Sequence, residues 1–125
     1  MSATTAGLAD RGFPGTPTGL LIGGSWLTTP DSLLVTDPAT LGVLAEIQDA
    51  SVADGLDAVA AAHEAFATWS ATAPRQRAEI LRRAWEIMTA EIETCALLIA
   101  LENGKAWRDA MGEAVYAAEF FRWFS

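Results

Sequence analysis

The sequence predicts an α+β segment, mostly helical, that opens with a β-hairpin region. Two observations carry that prediction. Between Leu20 and Ile47, short apolar strings alternate with Gly, Pro, Asp and Thr, the punctuation of strands and tight turns. From Ser51 onward, apolar residues recur at three- and four-residue spacing, the period of helices that bury one face. With 125 residues, 51% of them apolar, the chain has the length of one ordinary domain and enough apolar surface to build a core.

Residues 1–18 mix Ala, Thr, Gly and Pro and read as a disordered tail. They lack the basic start and apolar centre of a secretory signal. Leu20-Leu21-Ile22 then leads through Gly23-Gly24 into Ser25-Trp26-Leu27. Paired glycines between apolar strings allow the two positive φ angles of a type I′ hairpin turn. Thr29-Pro30-Asp31-Ser32 is a second turn, and Leu33 to Thr36 a strand. Asp37-Pro38-Ala39-Thr40-Leu41-Gly42 is a further turn, with Pro38 fixing φ. Val43 to Ile47 resumes as a strand. Strands this short need something to pack on.

The first helix starts at Ser51, with Asp54 three residues on in a capping-box-like position. Val52, Leu56, Val59, Phe66 and Trp69 follow helical spacing along one face. The second helix follows Thr72-Ala73-Pro74, with Thr72 or Ala73 as cap and Pro74 in the first turn. Its apolar face holds Ala78, Leu81, Trp85 and Met88, widened by Ile80, Ala84 and Ile87. Arg75, Glu79, Arg82 and Glu86 line the opposite face as a solvated stripe of local charge pairs. A third helix covers Ile92 to Glu102 and stops at Asn103-Gly104, where a left-handed residue fits. The last helix runs from Ala106 to the chain end. Ala110, Ala114, Ala117, Phe121 and Phe124 give it a seam, while Trp107, Met111, Val115, Ala118 and Trp123 make the other faces apolar as well. A helix apolar nearly all round is buried on several sides. This chain has little left to cover it and ends at Ser125 without a stop signal, so an incomplete domain is expected.

Composition excludes several functions. Eight basic residues against sixteen acidic ones give a net charge of −8, the opposite of the basic footprint that nucleic-acid binding requires. No apolar run approaches the roughly 20 residues that span a bilayer. Cys95 is the only cysteine, so no intrachain disulfide forms. A soluble cytoplasmic protein is expected.

Catalytic signatures fail one by one. A phosphate loop ending at Gly104-Lys105 would need glycine at 99 and Ser or Thr at 106, where the chain has Ile99 and Ala106. No G-x-G-x-x-G string occurs. His63-Glu64 opens like a zinc-protease motif but meets Ala67, with no second histidine to complete a metal site. His63 reads as a helix-surface residue. Cys95 lies mid-helix with Ile92, Ala96 and Ile99 at contact spacing. Its acidic neighbours Glu91, Glu93 and Glu102 offer nothing to activate a thiolate, so it reads as a small core residue. Asn103 reads as part of a helix end rather than as an oxyanion donor. Phe120, Phe121, Trp123 and Phe124 read as packing residues rather than as a ligand platform.

The sequence carries a resemblance in six blocks. Leu21-Ile22-Gly23-Gly24-Ser25-Trp26 is similar to the "I-G-G-x-W" opening of the aldehyde dehydrogenase superfamily. Asp37-Pro38-Ala39-Thr40-Leu41-Gly42-Val43 resembles its "N-P-A-T-G-E-V" turn, with Asp37 for the usual Asn and Leu41 intruding before the glycine. Phe66 and Trp69 match "A-F-x-x-W". Pro74, Arg77, Ala78, Ile80, Leu81 and Arg82 match "P-x-x-R-A-x-I-L-R". Leu101-Glu102-Asn103-Gly104-Lys105 resembles "L-E-x-G-K-P", with Ala106 for proline. Gly112-Glu113, Tyr116-Ala117-Ala118 and Arg122-Trp123-Phe124 resemble "G-E-x-x-Y-A-A-x-x-x-x-W-F", an ending most like the succinate-semialdehyde branch.

The resemblance implies that residues 19–125 are the incomplete amino-terminal part of an aldehyde dehydrogenase cofactor-binding domain, an α/β Rossmann-like fold. In such enzymes a cysteine thiolate attacks an aldehyde, hydride passes to NAD or NADP, and a glutamate activates water to release the acid. The nucleophile, general base, oxyanion asparagine and cofactor loops of the family all lie downstream of this segment. Cys95 and Asn103 do not stand in the matching contexts. The resemblance therefore transfers no catalytic, cofactor-binding or metal role to any residue here, and this chain alone is expected to be inactive. Its partners would be the remainder of the dehydrogenase and, for the whole enzyme, a small aldehyde within a homo-oligomer. The alternative is a stand-alone helical interaction module that pairs with another chain through its last helix.

Overall fold

The computed structural model describes residues 7–125. The chain forms two compact units, one up to Ser70 and one from Ala71.

The first unit is built on two hairpins. Strand β1 (Leu20–Ile22) pairs antiparallel with β2 (Ser25–Leu27), Ile22 opposite Ser25. The connecting residues Gly23 and Gly24 have φ of 57° and 81°, the two left-handed residues that a type I′ turn needs. Strand β3 (Ser32–Thr36) pairs antiparallel with β4 (Val43–Gln48), with an irregularity between Val35 and Thr36. The Thr29 hydroxyl, donating to the carbonyls of Asp31 and Asp49 at 2.8 and 2.9 Å, holds the link from β2 to β3.

Residues 7–18 differ from the expected tail; residues 1–6 of that expectation lie outside the described residues. Ala9–Arg11 form one 3-10 turn, closed by Gly12 at φ 98°. Leu8 and Phe13 are buried together with Leu44 of β4. Two isolated apolar residues give no periodic signal in a Gly/Pro-rich string. Their order comes from a partner more than thirty residues away in sequence.

Helix α1 (Val52–Ala71) starts at a reciprocal cap. Asp54 Oδ2 accepts from the Ser51 N–H at 2.8 Å, and Ser51 Oγ accepts from the Asp54 N–H at 3.2 Å. The β1–β2 turn lies over its middle, Gly23 beside Ala61. The predicted apolar face forms and stays uncovered: Val52, Leu56, Val59 and Phe66 are all exposed.

The second unit holds α2 (Pro74–Ala90), α3 (Ile92–Asn103) and α4 (Trp107–Trp123). Ala73 is the residue before α2, without a side-chain cap, and Pro74 occupies the first turn. Ala78, Leu81, Ala84, Trp85 and Met88 are half-buried, while Ile80 and Ile87 are exposed. Gly104 ends α3 at φ 66°, its N–H donating to the Ala100 carbonyl at 2.9 Å.

The core of this unit is made of alanine. Ala96 of α3 meets Ala110 and Ala114 of α4, flanked by Ile92, Cys95, Ile99, Ala100 and Met111. Small side chains let the two helices approach closely. The seam on α4 is Ala110, Ala114, Ala118, which corrects the expected run through Ala117, Phe121 and Phe124. Those three face solvent. Among the described residues no large side chain is fully buried.

Candidate functional site

A concave surface on the second unit lies along the last turns of α4. Tyr116, Phe120 and Phe124 recur at intervals of four, and Trp123 and Glu119 complete an apolar hollow of about 330 Å³. Tyr116 and Phe120 meet edge to face with ring centroids 5.0 Å apart at 79°, the arrangement that aromatic quadrupoles favour. Glu119 is engaged by the Arg122 guanidinium at 2.7 Å, which holds its carboxyl below the ordinary carboxylate value. The hollow is open, apolar and lined from one helix. It offers contact area, with no group placed for bond making. Of the aromatic cluster expected from sequence, Phe120, Trp123 and Phe124 come together here and Phe121 does not. Tyr116 was missed, and its four-residue spacing from Phe120 and Phe124 is the signal that places it here.

A second groove, of about 730 Å³, runs between the β1–β2 turn and α1, lined by Leu21 to Gly24 and by α1 residues between Ala58 and Thr68, mostly alanine. His63 is exposed on α1 and does not line it.

The other candidate groups are held in structural roles. Cys95 is half-buried against the alanine core. Arg82 sits between Glu79 and Glu86, donating from Nε to Glu79 at 3.0 Å. The Glu79 hydrogen bond, then the charges of Glu79 and Glu86, hold its guanidinium firmly in the charged form. The local charge pairs expected on this face of α2 form around Arg82. Lys105 pairs with Glu113 instead of facing a phosphate cradle. Asn103 is the exposed last residue of α3. Among the described residues no cluster of three or more His, Cys, Asp or Glu could hold a metal ion, and no helix is long and apolar enough to cross a membrane.

Comparison with known proteins decides what this scaffold is. Residues 26–125 match the family model described as the aldehyde dehydrogenase family. The chain belongs to the aldehyde dehydrogenase family. It is similar to the mitochondrial succinate-semialdehyde dehydrogenase of Rattus norvegicus, 34% identical over 96% of this chain and 25% of that protein. It is also similar to the succinate-semialdehyde dehydrogenase of Paenarthrobacter nicotinovorans, 51% identical over 66% of this chain and 18% of the relative. Among solved structures, succinate-semialdehyde dehydrogenase from Burkholderia pseudomallei superposes with a TM-score of 0.76 at 36% identity, over 79% of this chain and 21% of that one. An aldehyde dehydrogenase from Brucella melitensis biovar abortus 2308 gives 0.81 at 32%, over 85% and 22%. The chain therefore spans about a quarter of the length of the relatives it matches, and its α+β architecture is that of the amino-terminal segment of the aldehyde dehydrogenase fold.

The family implies a nicotinamide dinucleotide, and the start of α1 does not fit its pyrophosphate. A pyrophosphate needs free amides at a glycine-rich helix start. At the start of α1 the Ser51 N–H already donates to the Asp54 carboxylate, and that negative charge does not suit a phosphate at this helix end.

Proposed function

We propose that this chain is the amino-terminal scaffold of an NAD(P)-dependent aldehyde dehydrogenase that oxidises succinate semialdehyde to the corresponding acid. The match of residues 26–125 to the family carries this reading. The names of the relatives support the choice of aldehyde. In this reading residues 19–125 begin the cofactor-binding domain, and the remainder of the polypeptide brings the nucleophilic thiolate, the water-activating carboxylate and the NAD or NADP site. No residue of this segment is catalytic, cofactor-binding or metal-ligating. The complete enzyme is a cytoplasmic homo-oligomer. The exposed faces of α1 and α4 support a scaffolding role, because apolar patches of this kind mark surfaces that pack against further protein.

The test is an assay for NAD(P)H formation from succinate semialdehyde with NAD+ or NADP+. The purified 125-residue chain is expected to give no turnover, and the longer source polypeptide containing it to be active. Turnover by the short chain that persists through purification contradicts the assignment.

A second reading, an interaction module that works without the rest of a dehydrogenase, draws on the aromatic face of α4. It requires the short chain to be folded and monodisperse in isolation.

A further inference from the structure

The outer edge of β4 is covered by the chain's own amino-terminal residues. β4 pairs with β3 along one edge, and the ladder skips Leu44: Val35 faces Ala45, and Thr36 faces Val43. A bulge of this kind leaves the extra residue without a partner in the ladder. The Leu8 N–H donates to the Leu44 carbonyl at 2.8 Å, and further along the edge the Gln48 N–H donates to the Thr18 carbonyl at 2.9 Å. Between those two bonds the segment folds on itself. The Phe13 N–H donates to the Leu8 carbonyl at 3.0 Å, and the Thr16 hydroxyl to the Phe13 carbonyl at 3.0 Å. Leu8 and Phe13 are 7% and 8% exposed, and Leu44 beneath them 3%.

One ion pair ties this segment to the β3–β4 turn, Arg11 Nη1 to Asp37 Oδ2 at 3.2 Å. Asp37 is buried and uses its two oxygens separately. Oδ1 accepts from the Ala39 N–H at 2.8 Å and shapes the turn; Oδ2 receives Arg11. An asparagine at this position would keep the first bond and lose the charge of the second. The negative charge at residue 37 is what Arg11 pairs with, and the turn's Ala39 N–H and Thr40 hydroxyl favour it as well.

We propose that residues 7–18 are a releasable strap over the β4 edge, latched by the Arg11–Asp37 ion pair. Two backbone hydrogen bonds and two apolar anchors make a small cooperative unit, of the kind that opens without unfolding its neighbours. Opening uncovers Leu44, its carbonyl and the Gln48 N–H together. That is a bare strand edge of the kind to which an extended segment adds.

Hydrogen exchange on the protein at the full length at which its source produces it tests this, comparing the natural sequence with Asp37→Asn and Arg11→Gln. Both variants keep the Asx-type turn acceptor at residue 37. The Leu8 and Gln48 amides are expected to exchange roughly fivefold to tenfold faster in each variant, while the amides paired between β3 and β4 keep their protection. Unchanged exchange at Leu8 and Gln48 in both variants would overturn the latch. Equal acceleration throughout β3 and β4 would overturn the strap as a separate unit.

Discussion

Leu41 holds a backbone conformation that its side chain disfavours. Its φ is 60°, in the left-handed region where a Cβ meets the neighbouring carbonyl at a cost of about 1–2 kcal/mol. The turn enforces it: the Leu41 N–H donates to the Asp37 carbonyl at 2.7 Å, and the Asp37 N–H to the Gly42 carbonyl at 2.9 Å. The side chain is 80% exposed and offsets little of that strain by packing. Leu41→Gly is therefore expected to stabilise the chain by about 1 kcal/mol, after allowance for the freer unfolded glycine, read as a higher thermal midpoint. Asp37 next door sets an acid limit. The Ala39 N–H, the largest influence, holds its carboxyl below the ordinary 3.8; burial opposes this, and Thr40 and Arg11 add to the lowering. The native state then binds fewer protons than the unfolded one. The contribution is complete above the unfolded value and is lost as pH falls through the folded value, below 3.8. Between about pH 7 and about pH 3 the natural chain should lose more of its denaturant midpoint than Asp37→Asn. Equal losses would show that the Asp37 carboxylate is not linked to stability.

The two alanine faces of α4 make the packing of the helices testable. Ala118 is buried and its neighbour Ala117 is exposed. Ala118→Leu should overpack the seam and cost about 1–3 kcal/mol in denaturant unfolding, and Ala117→Leu should stay within about 0.5 kcal/mol. The reverse order would restore the seam expected from the sequence. That expectation went astray for a physical reason. With 3.6 residues per turn, steps of three and four both stay on one face, and α4 has apolar residues on every side, so no polar face fixes its orientation. Where a local rule is strict, sequence and structure agree. The Gly23-Gly24 turn, the Ser51–Asp54 cap and the Gly104 stop all form where expected. Contacts between distant residues were not legible. Leu8 and Phe13 find Leu44 only through the fold. The α4 hollow was not legible: Phe120, Trp123 and Phe124 read as packing residues, and they line an open surface together with Tyr116 one turn back.

Across the whole molecule, the exposed apolar surface weighs more than any single site. Val52 of α1 is 83% exposed and Trp123 of α4 is 76% exposed, and the buried core of the second unit is alanine. Burying apolar surface stabilises by about 25 cal/mol per Å², so faces like these gain substantially when further protein covers them. In the proposed scaffold that protein is the rest of a dehydrogenase about four times as long, judged by the quarter of its relatives that the chain spans. The most direct test is the mass of the native protein in its source cells, read by immunoblot with an antibody against this segment. A band several times heavier than the 13.3 kDa of this chain is expected; a band at 13.3 kDa alone would rule out the scaffold of a longer dehydrogenase.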